Sequence, residues 1–358
     1  MKYVSIVQYG LGQVGQALVQ QIVAGREALR ARTGLELRHV ALADSRGALV
    51  DPQGLSDARL AAAVAAKMAG TSLQRQPGGV GRAGALDLAT LGAPGIVVDV
   101  TAADGMEVTA LEAIERGWGV ALANKRPLAG DLETFRRLTG ARRLRHEATV
   151  GAGLPWLEML THLLDTGDRV TCLEAAVSGT LGFICYRLEQ GAAFSAAVAE
   201  ARALGYTEPD PRDDLSAADV RRKALILARM LGLGLSWDEV PAEALYPPEW
   251  NALTIEGFME RTPELDAALA GRMAAATARG RTLRYAVRIA EGRCQVGLHE
   301  VERTSPLGAL QGPACLLALH TQRYHPAPLV ISGPGAGAEV TAAGVYADII
   351  SLAMMRDV

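Results

Sequence analysis

The stretch YVSIVQYGLGQVG, residues 3–15, decides the fold of this chain. Tyr3 to Gln8 has the apolar, β-branched character of a buried strand. Gly10-Leu11-Gly12-Gln13-Val14-Gly15 then opens an amphipathic helix predicted through Ala24. A GxGxxG run framed by strand and helix is the pattern of a dinucleotide-binding turn. Gly10 permits the tight turn, Gly12 lets the backbone approach a pyrophosphate, and Gly15 lets helix and strand pack closely. The helix N–H groups would face the anion.

Outward from that turn, a second strand is predicted over Leu37 to Leu42, ending at Asp44-Ser45-Arg46. An acid there suits the adenosine ribose of NAD, and a nearby arginine suits the 2'-phosphate of NADP. This chain has both, so the pattern leaves the cofactor preference open. The alanine-rich residues 58–69 read as a helix and the Gly/Pro-rich residues 77–84 as a loop. Gly95 to Val100 is an apolar run of the kind buried in a parallel sheet. Thr101-Ala102 follows at its carboxyl edge, where ligands bind in such sheets. A helix over 105–116 stops at Gly117, and a strand over Trp118 to Ala123 delivers Asn124-Lys125-Arg126-Pro127 to the same edge.

The second half changes character. Gly151-Ala152-Gly153 begin a new region, Val170 to Val177 reads as a strand, and Leu283 to Ile289 and Cys294 to Glu300 read as antiparallel strands among helices. A final helix is predicted from about Val340 after the glycine cluster at 333–337. The expected fold is therefore α/β, an N-terminal Rossmann-type domain plus an α+β domain, with boundaries at 1–147, 148–332 and 333–358.

Within the second half, EPDPRDDLSAADVRRK, residues 208–223, gathers acids at the start of a helix. Pro209 and Pro211 are predicted to keep its first half out of a helix. Asp214 or Ser216 is predicted to cap a helix running to a stop at Gly232 and Gly234. At about 100° per residue, Asp219 and Lys223 share the side facing the protein, whereas Arg221, Arg222 and Arg229 point elsewhere as solvating charges. A lysine held partly out of water is expected to have a lowered pKa and to exchange protons near neutrality. The plain alternative is an Asp-Lys helix pair bordering a core.

Composition bounds the function. The 358 residues are 49% hydrophobic and 21% charged, with a formal charge of -3, enough for two folded domains. Neither nucleic acid nor an anionic membrane is an expected partner, because no dense Lys/Arg block exists. The four cysteines lack CxxC spacing, so neither a disulfide framework nor a zinc site is indicated. The protein is expected to be cytoplasmic.

Taken in order, Gly10 to Gly15, VDVTA (98–102), ANK (123–125), HEATVGAGLP (146–155), SGTLGFI (178–184), Ala201 to Lys223 and GPGAGAEVTAAGVYADI (333–349) resemble the homoserine dehydrogenase family over almost the whole chain. The resemblance implies NAD(P)-dependent interconversion of L-homoserine and L-aspartate 4-semialdehyde, a step toward threonine, methionine and isoleucine. It makes Lys223 the catalytic acid/base, with Asp219, Glu208 and Lys125 in the catalytic set. Glu208, Asp214, Asp219 and Lys125 hold the small-molecule substrate. Cofactor contacts fall on Gly10, Leu11, Gly12, Gln13, Val14, Gly15, Asp44, Arg46, Thr101, Ala102, Lys125, Gly205 and Gly337. Glu147, Val150, Ala152 and Leu154 would surround a sodium or potassium ion, mostly through backbone carbonyls, and a homodimer is implied.

The chain departs from the family at Ala217, where glycine is usual, and at Gly182, where asparagine or serine is usual. Those departures keep a second reading in view, a related oxidoreductase acting on another small amino alcohol or semialdehyde. A non-catalytic dinucleotide sensor is a third, but a sensor needs the glycine loop and not the lysine. Little chain follows the last helix, so no appended regulatory domain or kinase is expected and threonine feedback should be weak or absent.

Overall fold

The computed structural model describes residues 2–81 and 86–355. Its elements follow in the order β1 (Lys2–Tyr9), α1 (Gln13–Thr33), β2 (Leu35–Asp44), β3 (Gly47–Val50), α2 (Asp57–Met68), β4 (Gly79–Val80), β5 (Ile96–Asp99), α3 (Met106–Glu115), β6 (Gly119–Leu122), α4 (Arg126–Ala129), α5 (Leu132–Gly140), β7 (Leu144–Arg145), α6 (Trp156–Asp165), β8 (Val170–Ala176), α7 (Gly179–Glu189), α8 (Phe194–Ala203), α9 (Pro211–Leu215), α10 (Ala218–Met230), α11 (Ile255–Arg261), α12 (Asp266–Ala278), β9 (Arg281–Ala290), β10 (Arg293–Glu302), β11 (Cys315–Thr321), β12 (Leu329–Gly333) and α13 (Ala338–Met354), with short 3-10 turns between some of them. They form two compact units, Met1–Gly153 with Gly337–Val358, and Leu154–Ala336.

In the first unit a seven-stranded sheet runs β4-β3-β2-β1-β5-β6-β7. β1 pairs in parallel with both β2 and β5, and β5, β6 and β7 continue in parallel. Strand order thus reverses at β1, which leaves a crevice beyond the carboxyl ends of β1 and β5, where open α/β sheets bind ligands. Apolar residues of the strands, such as Ile6, Leu37 and Val98, pack with Leu18 and Ile22 of α1 and with Val345, Ile349 and Leu352 of α13. A second cluster joins Leu11, Leu42 and Leu49 to Leu60 and Val64 of α2. The return of α13 against the backbone at 152–153 depends on two glycines: a Cβ at Gly153 would lie 2.3 Å from the Val340 carbonyl oxygen, and one at Gly344 2.6 Å from that of Ala152.

Of the predicted loop at 77–84, Gly79–Val80 pairs with β3 as a short antiparallel strand, and residues 82–84 lie outside the described residues. The predicted strands and the helix stop at Gly117 are present with slightly different ends.

The second unit is built on an antiparallel five-stranded sheet, β10-β9-β8-β11-β12. Arg284 of β9 is buried and reaches Glu189 at 2.6 Å and the carbonyls of Gly308 and Leu310, which pins the 303–314 segment to the sheet. Two helix expectations fail here. Pro211 does not hold its segment out of a helix; it takes the first position of α9, where its missing N–H costs nothing. The cap of α10 is neither Asp214 nor Ser216 but Ala217, in the left-handed conformation at φ 60°. Arg229 is also not a solvating charge. It is 4% exposed, and its Nε donates to the Leu235 carbonyl at 3.1 Å. The helix ends at Met230, with Gly232 at φ 83° just beyond. No helix among the described residues is long and apolar enough to cross a membrane.

Candidate active site

At the carboxyl edge of the first sheet, the glycine turn has the steric features its sequence requires. Gly10 adopts φ 105°, and a Cβ there would lie 2.9 Å from the backbone of Val100. A Cβ on Gly15 would meet the Gly10 carbonyl oxygen at 2.2 Å, so only glycine lets α1 start this close to β1. Gly12 is different: a Cβ would meet nothing within 4 Å. Gly12 and Gln13 are exposed residues, and α1 has neither a side-chain cap nor an acid in its first turn. Among the described residues no side chain caps the leading N–H groups of α1, the arrangement that suits a dinucleotide pyrophosphate. Leu11, by contrast, is 1% exposed, so its side chain is core.

Thr101 and Ala102 lie beside this turn, held by residues that sequence reasoning quoted without assigning a role. Asp99 is buried at the end of β5. Its Oδ1 accepts the Thr101 N–H at 2.9 Å and hydroxyl at 2.7 Å, and its Oδ2 accepts Asn124 Nδ2 at 3.0 Å. Asn124 also donates to the Ala103 carbonyl at 2.8 Å and accepts the Arg126 N–H at 3.1 Å. Burial raises the Asp99 pKa more than these hydrogen bonds lower it. The two loops that carry Thr101 and Lys125 are thus fastened to one carboxylate. Lys125 is half-buried and caps α4.

Asp44, at the end of β2, is engaged on both oxygens. Oδ1 accepts the N–H groups of Arg46 at 2.8 Å and Gly47 at 3.1 Å, and Oδ2 pairs with Lys67 of α2 at 2.6 Å. Burial acts to raise its pKa, but Lys67 and the two N–H donors outweigh it and hold the carboxyl below its usual range. Arg46 is exposed and donates to the Gly70 carbonyl. Gly337, at φ 113°, precedes α13. Of the four residues expected around a cation, Glu147, Val150 and Ala152 belong to this unit and Leu154 to the other. Among the described residues no group of three or more His, Cys, Asp or Glu could hold a metal.

In the second unit the structure brings Glu208, Asp214, Asp219 and Lys223 together. Lys223 Nζ pairs with Asp219 one turn back on α10 at 2.8 Å and donates to the Val177 carbonyl, at the end of β8, at 2.7 Å. Its side chain is 12% exposed, that of Asp219 46%. Asp214 Oδ2 accepts the Glu208 N–H at 2.8 Å, and Oδ1 lies 3.0 Å from the Thr180 hydroxyl, which also contacts the Tyr206 carbonyl at 2.5 Å. Asp214 therefore shapes the loop that presents Glu208, which is exposed. Gly205 turns that loop at φ 71°. Thr180, quoted within SGTLGFI without a role, ties the Asp214 carboxylate to the backbone at Tyr206.

The electrostatics correct one expectation. Burial does lower the Lys223 pKa, as anticipated, but the charge and hydrogen bond of Asp219, with smaller contributions from Cys315 and Asp214, outweigh it, and the net shift is upward. Lys223 is an ammonium at neutral pH. Asp214 moves up as well, chiefly through burial, with Glu208 and Asp219 adding to it against the hydrogen bonds from Glu208 and Thr180. The cluster can hold a cationic group against carboxylates and donate a proton from Lys223.

A family model for homoserine dehydrogenase matches residues 155–350, and one for the homoserine dehydrogenase NAD binding domain matches residues 10–149. The bifunctional aspartokinase/homoserine dehydrogenase of Haemophilus influenzae is 35% identical over 98% of this chain and 43% of its own length. The homoserine dehydrogenase of Emericella nidulans is 38% identical over 73% of this chain and 76% of its own. A hyperthermophilic archaeal homoserine dehydrogenase in complex with NADPH superposes with a TM-score of 0.73 at 25% identity, covering 98% of each chain. The chain spans less than half the length of the bifunctional relatives it matches.

Proposed function

The chain belongs to the homoserine dehydrogenase family, and from that premise we propose that it interconverts L-homoserine and L-aspartate 4-semialdehyde with NAD(P), toward threonine, methionine and isoleucine. The carrying observation is the Lys223–Asp219 pair at 2.8 Å, beside two further carboxylates that match the ammonium of an amino-alcohol substrate. When bound, the dinucleotide supplies or accepts the hydride. The uncapped N–H groups at Gly12 to Val14 hold its pyrophosphate, and Thr101, Ala102, Lys125, Gly205 and Gly337 complete its contacts. Glu208 and Asp219 bind the substrate ammonium by charge-assisted hydrogen bonds, Asp214 fixes the Glu208 loop, and Lys125 contacts the substrate.

In the reducing direction Lys223 gives its proton to the aldehyde oxygen as hydride reaches the carbon, which yields the alcohol and a neutral amine. In the oxidising direction the neutral amine takes the hydroxyl proton. An elevated pKa makes Lys223 ready as the acid and slow as the base at neutral pH.

The nucleotide edge favours NADP. Asp44 is occupied by Lys67 and two N–H donors, so it offers little to a ribose hydroxyl, while Lys67 and Arg46 bring two cations to the end of β2. A homodimer, a cytoplasmic location and a sodium or potassium ion at the carbonyls of Glu147, Val150, Ala152 and Leu154 belong to the same proposal. The test is a spectrophotometric assay of purified protein with homoserine and each of NAD and NADP, alongside Lys223→Ala. Turnover of neither cofactor, or near-normal turnover by the variant, overturns it.

A further inference from the structure

Gln8 and His39 are polar residues with no exposure, placed on neighbouring strands β1 and β2 directly beneath the glycine turn. Gln8 Nε2 donates to the Gly10 carbonyl at 2.9 Å and to the Gly15 carbonyl at 3.0 Å, the first and last glycines of the turn. Both amide protons are thereby committed, so Gln8 Oε1 is left as an acceptor. His39 Nε2 lies 3.0 Å from that oxygen and must carry the imidazole proton, because the reverse orientation of the amide would set its oxygen against two carbonyls. His39 Nδ1 is buried and has no hydrogen-bond partner among the described residues. Burial, reinforced by Arg26, lowers the His39 pKa to about 4, so the ring is neutral and this tautomer persists at neutral pH.

Two buried polar side chains are an expensive way to fill a sheet unless they fix something. What they hold is the span from Gly10 to Gly15, whose N–H groups at Gly12 to Val14 have no side-chain cap. We propose that Gln8 and His39 form a buried brace that presets the glycine turn for the dinucleotide pyrophosphate, and that both are positioning residues for cofactor binding. A turn held at both ends binds its anion without ordering the backbone first, which is the usual source of affinity from preorganisation. The inference rests on the reading of the first unit as the NAD(P) site.

The experiment measures NADPH dissociation constants by fluorescence titration, steady-state parameters and melting temperatures for wild type, Gln8→Leu, His39→Leu and His39→Gln. Both leucine variants should bind NADPH at least roughly ten-fold more weakly, since His39→Leu removes one buried hydrogen bond of the brace and Gln8→Leu removes all three. Their kcat at saturating cofactor and KM for homoserine should be unchanged. His39→Gln keeps a donor for Gln8 Oε1 and should restore most of the affinity. A lowered melting temperature with unchanged NADPH affinity would show a purely structural role and sink the proposal, as would equal weakening in His39→Gln and His39→Leu.

Should the leucine variants fail to fold, nitrogen NMR of the wild-type protein decides. The proposal requires a His39 ring protonated only at Nε2 and a protected Gln8 amide whose resonances shift when NADPH binds; any other tautomer, or resonances indifferent to NADPH, refutes it. Wild-type protein that binds neither dinucleotide overturns the functional reading itself, an outcome distinguishable because the brace is then intact.

Discussion

Replacing Asp219 with Asn keeps the size of the side chain and removes the charge that holds Lys223 protonated. In the wild type the balance at Lys223 is burial pulling the pKa down and Asp219 pulling it up further. Without Asp219 the burial contribution is left less opposed, so the pKa falls. The free-amine fraction below a pKa changes ten-fold per pH unit, so wild-type homoserine oxidation should climb with a slope near one in log(kcat/KM) from neutral pH toward the raised pKa. Aldehyde reduction should be flat over that range and fall above it. In Asp219→Asn the oxidation limb and the reduction fall both move to lower pH, while KM for homoserine rises because one carboxylate of the substrate site is gone.

The stability change follows from the same geometry. An ion pair at 2.8 Å is strong in a dry interior, but Asp219 is 46% exposed, and solvent screening brings its worth to about 1 kcal/mol. Because the folded pKa of Lys223 lies above the unfolded value near 10.4, this stabilisation is complete below that value and disappears as pH rises through the folded pKa. Denaturant unfolding should therefore show Asp219→Asn about 1 kcal/mol less stable at neutral pH and equal to wild type at strongly alkaline pH. An oxidation limb that stays in place or moves to higher pH in the variant refutes the account of Lys223 as the titrating acid/base.

Lys223→Met should lower kcat by roughly 10²–10⁴-fold, the usual worth of a general acid/base, with NADPH affinity retained in a fluorescence titration; a loss below ten-fold counts against it. Asp99→Asn sets two amide groups against each other at Asn124, and urea unfolding should report a loss of about 1–3 kcal/mol; an unchanged midpoint would mean the loops are fastened otherwise. Lys67→Ala should reduce kcat/KM for NADP at least ten-fold and leave that for NAD nearly unchanged, whereas a wild type preferring NAD contradicts the reading of the β2 edge. Ala217→Gly relieves about 1–2 kcal/mol of left-handed strain but loses about 0.8 kcal/mol of methyl burial and about 0.4–1 kcal/mol to unfolded-chain entropy. Its unfolding free energy should stay within about 1 kcal/mol of wild type in a denaturant titration, and a larger loss would show that Ala217 is not strained.

The first unit was legible because its signals are local. An apolar strand, a glycine turn and an amphipathic helix are each written in adjacent residues, and the crevice at β1 and β5 follows from their order. The cap of α10 was misread because capping propensity is also local, while Asp214 answers to distant groups, Thr180 at 3.0 Å and the Glu208 N–H at 2.8 Å. Arg229 was misread for a related reason: its partner, the Leu235 carbonyl, appears only once the chain turns back after α10. Gln8 and His39 gave no signal, since their pairing depends on strand register. Ala217 is the opposite case. The sequence showed only a departure from the usual glycine, and the structure supplies the backbone reason for that glycine, a left-handed residue at that position.

The raised pKa of Lys223 fits a structural ion pair and the proposed catalytic lysine alike. A lysine shielded from water with no counter-charge would lose its proton near neutrality and serve as a base. With Asp219 at 2.8 Å and the Val177 carbonyl at 2.7 Å, it keeps the proton and the pair is stabilising. Under the proposed function, that same pairing readies it to protonate an aldehyde oxygen. Once the proton had left, Asp219 would face a neutral amine and favour its prompt reprotonation, so the group that stabilises the resting protein would also reset it. Asp219 remains half-exposed, which leaves room for it to hold a substrate ammonium while it is paired to Lys223. In the proposed reaction the stabilising ion pair and the proton donor are then one interaction at two stages.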